Sequence, residues 1–211
     1  MSFVQSKVRA MLALLTLLMI AHPYSSVSAS GLGQPSLAAR GAAKNIQPQP
    51  AAKTHLVQRV FTPGVLDLTV VQQPAGQSMY VSAGEAEATQ FRLASRYGNI
   101  GLLAHDYLAG SAFSQLAVGT IVHLTYTDGE VESYMVSQVL RYEALRPDST
   151  LSAFRDLASG QIVSASRLFS SVYAGRHHLT FQTCITNLGD LNWGRLFVIA
   201  VPVTDYTHGP N

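Results

Sequence analysis

Cys184 is the chain's only cysteine, and it closes the alternating run Leu179-Thr180-Phe181-Gln182-Thr183-Cys184. A lone thiol cannot form an internal disulfide, so it is either a small buried hydrophobe or a reactive group. Cysteine catalysis needs three things: a thiolate, a proton donor for the leaving group, and a positive group for the oxyanion formed when a carbonyl is attacked. The sequence offers one residue for each role. Cys184 ends one strand-like run, His105 ends another (residues 99–105), and Arg195 begins a third (residues 195–201). A permanently charged guanidinium beside the sulfur stabilises both a thiolate and a developing oxyanion.

Of the seven histidines, His22 falls in the leader, His55 at the end of the linker and His208 in the last residues. His123 reads as a half-exposed strand residue. His177 and His178 are the rivals, since His178 shares strand parity with Cys184; at six residues along an extended strand it lies roughly 20 Å away, too far for proton transfer. No His-x-x-His or His-Glu-x-x-His spacing is present, so no metal site is expected. Nor is there a Gly-x-Ser-x-Gly elbow for a serine hydrolase.

The elements that must position these groups are mostly strands. Residues 65–72 alternate and are β-branched, and residues 121–127 and 131–142 form a hairpin pattern about Asp128-Gly129, where a tight primed turn is expected. Val122, Leu124 and Tyr126 share one face there, while Ile121, His123 and Thr125 share the other. Residues 196–201 form a continuous apolar run, as in a central strand closed by Pro202. Residues 185–194 carry Asn187, Gly189, Asp190, Asn192 and Gly194 and read as a connecting loop that brings Cys184 and Arg195 to one rim. Short helices are expected over residues 86–96, 112–116 and 150–158. Many strands and few helices favour a barrel or sandwich.

Residues 1–29 read as an export signal: Lys7 and Arg9, an apolar stretch over residues 10–21, then Val27-Ser28-Ala29. Residues 30–56, rich in Ala, Pro and Gln, read as a tether, and residues 57–206 as one domain. Of the 14 basic residues, Lys7 and Arg9 leave with the signal, so 12 basic residues face 12 acidic ones. A near-neutral chain lacks the basic stripe that nucleic acid requires. Membrane association is expected only if the leader stays uncleaved.

Thr183-Cys184 after its strand, the turn-rich gap, and Arg195-Leu196 opening a Val/Ile strand together resemble the signature of the sortases, cysteine transpeptidases of bacterial cell surfaces. The run into His105, residues 112–116, Gly119-Thr120-Ile121 and the Asp128-Gly129 hairpin with Tyr134 and Val136 follow the same family order. The resemblance spans residues 65–203.

It implies a closed β-barrel of about eight strands with short helices. It also implies an exported or cell-surface protein that needs no cofactor or metal. Cys184 would attack the backbone carbonyl of a C-terminal sorting signal on an exported protein, giving a thioester. His105 would protonate the departing amine and assist an incoming amino group from cell wall or pilin, and Arg195 would hold substrate and oxyanion. Thr183 and Asp106 are expected on the substrate side. Asp106 departs from the family pattern, as does Phe181-Gln182 before Thr-Cys. The same scaffold is also compatible with a hydrolase or a non-catalytic binding module.

Overall fold

The computed structural model describes residues 55–149 and 151–206; the leader and nearly all of the tether lie outside the described residues. Ten strands are named in chain order: β1 Val57–Thr62, β2 Leu66–Gln72, β3 Glu87–Gln90, β4 Ile100–Leu103, β5 Ile121–Tyr126, β6 Val131–Ala144, β7 Phe154–Asp156, β8 Ile162–Val163, β9 Leu179–Asn187 and β10 Asp190–Pro202. The helices are α1 Arg92–Ser95, α2 Gly110–Phe113, α3 Ala165–Tyr173 and α4 Val203–Tyr206.

Sheet order is β10-β9-β4-β3-β2-β1-β5-β6, and β6 pairs back onto β10 along most of its length. Eight strands therefore close on themselves, which leaves no long unpaired edge. The small β7–β8 hairpin continues from the far end of β6, where Tyr142, Glu143 and Ala144 pair Asp156, Arg155 and Phe154. The protein is a mostly β, closed eight-stranded barrel with short helices. Among the described residues no helix is long and apolar enough to cross a membrane.

Alternation along the strands sorts side chains into two apolar clusters. The barrel interior holds Val60, Leu68, Leu102, Val122, Leu124, Phe181 and Val198. A second cluster lies on the outer face of β4, β9 and β10, where Leu103, Phe197 and Ile199 meet Leu168, Val172 and Tyr173 of α3. Strand β10 is buried on both faces because of this double cover, which explains its unbroken apolar run.

Helix α3, absent from the sequence reading, begins at Ser164, whose side chain accepts from the Arg167 amide at 3.2 Å. It is pinned at its far end: the Asn99 side-chain amide donates to the Tyr173 carbonyl at 2.9 Å, and the Tyr173 hydroxyl donates to Gln182 at 2.6 Å.

Four expectations are corrected. Residues 86–96 are not one helix. Residues 87–90 pair in parallel with Thr69–Gln72, burying Ala88 and Thr89 completely, so sheet pairing overrides the helical preference of Glu and Ala and leaves only the short α1. Residues 150–158 are likewise not helical where described: β7 pairs with β6 and buries Phe154.

The Asp128-Gly129 turn is a three-residue loop, not a two-residue primed turn. The Glu130 carbonyl accepts from the Tyr126 amide, and Gly129 at φ 91° absorbs the extra residue. Residues 185–194 are a strand hairpin, with β9 running on to Asn187, Leu188 and Gly189 at φ 48° and 84° turning the chain, and β10 starting at Asp190. A register shift between Asp190 and Gly194 accommodates the turn-forming residues.

Candidate active site

Cys184 and Arg195 lie on adjacent strands, and His105, expected to end a strand over residues 99–105, follows two residues after the end of β4. Cys184 on β9 is the direct cross-strand partner of Arg195 on β10. On the other side β9 pairs in parallel with β4, Leu103 opposite Gln182, and the Ala104 amide continues the ladder to the Gln182 carbonyl. His105 lies two residues beyond Leu103, just past the paired residues of β4. Parity puts all three on one face: Leu103, Phe197 and Ile199 point to the outer cluster, and His105, Arg195 and Cys184 are two residues or a small even number from them.

Cys184 is partly buried, while His105 and Arg195 are 6% and 2% exposed. One terminal nitrogen of Arg195 donates to the carbonyls of Gly194 (2.7 Å) and Asn192 (3.2 Å). The guanidinium is thereby held against its own strand, which begins at Asp190 and not, as the sequence suggested, at Arg195. Its charge lowers the thiol's pKa, as the pairing suggests, but burial outweighs it and Asp106 opposes it, so the thiol is pushed up to about 11.

Burial also pushes the His105 imidazole below its ordinary value, against the raising effects of Asp106 and of a hydrogen bond to the Val81 backbone. The His105 ring stacks on Tyr107, centroids 5.2 Å apart. At neutral pH the resting site is therefore a thiol and a neutral imidazole, with a fixed cation beside the sulfur.

Local structure around His105 is tightly constrained. Its carbonyl accepts from the amides of Leu108 (3.0 Å) and Gly110 (2.9 Å), folding the chain into α2. The Thr183 hydroxyl donates to the Ala104 carbonyl at 2.9 Å, tying the Cys184 strand to the residue before His105. Gly110 is required by this crowding: a Cβ there would sit 2.3 Å from the Thr183 hydroxyl oxygen and 2.6 Å from the His105 carbonyl oxygen. Gly110→Ala is expected to cost about 1–3 kcal/mol in urea unfolding, because backbone on one side cannot yield.

A cleft of about 280 Å³ is lined by Cys184, Asp106, Thr186, Ser111, Ser114 and Arg141 among others, with Thr183 also on its wall. One Asp106 oxygen accepts from the Thr186 hydroxyl; the other, Oδ1, is enclosed without a hydrogen-bond partner. Tyr107, Thr186, Arg141 and the two serines were not singled out by the sequence. Thr186 is two residues from Cys184 on β9, and the others are ordinary polar residues brought near by chain segments distant in sequence.

The rival histidines are engaged at the other end of β9. His177 contacts the Tyr134 hydroxyl (2.9 Å) and the Gly98 carbonyl (2.7 Å), and His178 contacts the carbonyls of Val172 (2.9 Å) and Arg176 (2.7 Å). His123 bonds Ser133 on the neighbouring strand. Local spacing gave no metal-type cluster, but the fold brings exposed His55, Asp128 and Glu130 together at the β5–β6 turn, with ligand atoms within 4.8 Å of one another. That turn is at the end of β6 away from Tyr142, the residue that pairs Arg195.

No protein-family model and no curated protein matches the chain. The solved structures to which it is similar are sortases. Sortase C1 of Streptococcus agalactiae, in complex with MTSET, is 18% identical, with a TM-score of 0.43 over 68% of this chain and 65% of that one. Sortase C of Clostridium perfringens SM101 is 13% identical, with a TM-score of 0.43 over 72% and 71%. Sortase A of Listeria monocytogenes is 16% identical, with a TM-score of 0.45 over 71% and 88%. The chain spans 65% of the first of these, just under two thirds of its length.

Proposed function

We propose that the chain is a sortase-type cysteine transpeptidase of the cell surface, with Cys184 as nucleophile, His105 as general acid and base, and Arg195 as oxyanion and substrate clamp. The observation that carries this reading is the cross-strand pairing of Arg195 with Cys184, with the strand end bearing His105 on the other side of the same sheet face. A lone buried structural cysteine needs neither a buried arginine opposite nor a histidine just past the end of the next strand.

In this reading proton transfer to His105 generates the thiolate–imidazolium pair. The thiolate adds to the carbonyl carbon of a sorting-signal peptide in an exported protein, and Arg195 balances the charge on oxygen. Collapse breaks the C–N bond, and His105 gives its proton to the departing amine, leaving a thioester on Cys184. An amino group from cell-wall precursor or pilin then takes the acyl group. Thr183 keeps β4 and β9 in register, and Asp106 shapes the electrostatics of both reacting groups.

Incubating the chain with a sorting-signal peptide library and an amine acceptor is expected to give a Cys184-linked acyl adduct by mass spectrometry. Cys184→Ala abolishes it. A folded protein that yields no such adduct from a broad library would overturn the reading. The high thiol pKa supports a second one, a barrel that binds exported peptides without turnover; a complex retained in Cys184→Ala with no acyl adduct in the native chain would favour it. A hydrolase is told from a transpeptidase by whether water or amine appears in the product mass.

A further inference from the structure

We propose that Thr89 is a positioning residue for His105: its hydroxyl oxygen sets the plane of the Val81–Ser82 peptide, whose carbonyl then holds the imidazole in the tautomer able to take the thiol proton. This rests on the transpeptidase reading and adds to its proton-transfer machinery a residue that touches neither reactant.

Strand β2 ends at Gln72 and its parallel neighbour β3 begins at Glu87, with no strand or helix among residues 74–86 between them. Side chains must satisfy and hold much of such a segment. Gln73, 3% exposed at its start, donates its amide to the carbonyls of Ser78 (3.0 Å) and Tyr80 (3.1 Å) and accepts from the Arg92 amide (3.2 Å). The Val81 side chain packs on the outer apolar cluster, and the Ser82 hydroxyl donates to Glu87.

Thr89 supplies the tie nearest the site. It is fully buried on β3 and pairs with Leu103, two residues before His105. Its hydroxyl oxygen accepts from the Ser82 amide at 2.8 Å. That amide and the Val81 carbonyl belong to one planar trans peptide and point in opposite directions. With the N–H committed to Thr89 the carbonyl is aimed away from it, and this carbonyl accepts from the His105 ring.

A neutral imidazole has one N–H and one lone pair. Committing the N–H to Val81 leaves the lone pair on the other nitrogen, the form that can accept from Cys184. The S–H proton moves onto that nitrogen, giving thiolate and an imidazolium with two N–H bonds. One stays on the Val81 carbonyl, and the proton of the other goes later to the departing amine. The carbonyl takes the place a carboxylate has in a Ser-His-Asp triad, without adding a charge. Tyr107 stacks on the ring face and Asp106 is the charge acting on the ring. A stacking contact does not distinguish the two nitrogens; a hydrogen bond does.

The test reads the ring directly. In the full chain carrying ring-15N histidine, the His105 signals are assigned by their loss in His105→Gln and followed through a pH titration of the native protein, Thr89→Val and Thr89→Ser. The native neutral ring is expected as a single tautomer. Thr89→Val keeps the shape but removes the acceptor, so the Ser82 amide is orphaned and its peptide turns to seek a partner. This variant is expected to show both tautomers and to titrate at lower pH than the native ring, because the Val81 bond favours imidazolium. Its kcat/KM should fall about fivefold to tenfold, the scale of one hydrogen bond. The acid flank of its rate profile moves to lower pH, and the alkaline flank, set by the thiol, stays in place. Thr89→Ser restores the hydroxyl and is expected to return tautomer, titration and rate.

Loosened packing would act in the opposite sense: burial is the largest influence holding the imidazole down, so admitted water raises the titration midpoint. Such a rise overturns the inference, as does an unchanged tautomer and midpoint in folded Thr89→Val, or a Thr89→Ser that behaves like the valine variant. Thermal melts report folding. If Thr89→Val does not fold, Thr89→Ala carries the same expectations, and a native ring already divided between tautomers overturns the inference without any variant. If the native chain forms the Cys184 acyl adduct while the ring ignores Thr89, this inference alone falls. If the ring responds as expected and no adduct forms, the transpeptidase reading falls and the contact loses its catalytic purpose.

Discussion

Alkylation of Cys184 by a small thiol reagent is expected to accelerate about tenfold per pH unit up to the thiol pKa of about 11, because only the thiolate reacts. Turnover is expected to behave differently. In the proposed mechanism it requires thiolate and imidazolium together, and with the thiol pushed up and the imidazole pushed down these are both minority forms near neutrality. As pH rises between the two values the thiolate fraction grows as fast as the imidazolium fraction shrinks, so their product is flat.

The peptide rate should therefore show a plateau beginning below the ordinary histidine value of about 6.5 and ending near 11. It falls on the acid side because thiolate is lost while imidazolium is already saturated, and on the alkaline side because thiolate is saturated while imidazolium is lost. Parallel measurement of alkylation and turnover checks both curves. A turnover profile that climbed with alkylation would remove His105 from its role. Asp106 raises both groups, so Asp106→Asn should move both flanks of the plateau to lower pH.

Arg195→Gln is expected to lower kcat/KM by about 100- to 1000-fold, the usual cost of removing a principal oxyanion donor. Arg195 is 2% exposed and anchored to two carbonyls, so some stability is lost as well, and activity alone would not separate the two causes. The thiol does. Arg195 lowers the Cys184 pKa, so the glutamine variant should alkylate more slowly at any pH below the native thiol pKa. A purely structural defect would expose the sulfur and speed alkylation. Arg195→Lys keeps the charge but loses the fork, and should recover the alkylation rate better than turnover.

The alternation of β5, with Val122, Leu124 and Tyr126 buried and Ile121, His123 and Thr125 half-buried, was legible because strand parity is a local property. The β10 run was legible for a related reason: a strand covered on both faces leaves no polar position to break it. Helical preference misled at residues 86–96 and 150–158, where partners far along the chain supplied pairing that outweighed local propensity. Helix α3 was missed although Leu168, Val172 and Tyr173 recur at helical spacing, because nine residues give too short a pattern to stand out from the surrounding serines and turns.

Chemistry divides along the same line. A unique cysteine, with a histidine and an arginine at the ends of strand-like runs, is written in the order of residues, as is the near-neutral charge that sets nucleic acid aside. That β4 runs parallel to β9 while β10 runs antiparallel to it, so that three distant side chains share one face, is decided only when the barrel closes. Ionisation belongs wholly to the tertiary structure: burial sets the thiol and the imidazole, and the company of Asp106 follows from the bend after β4. Residue types fix which protons and charges are available; desolvation and distance, which no local pattern encodes, fix where they reside.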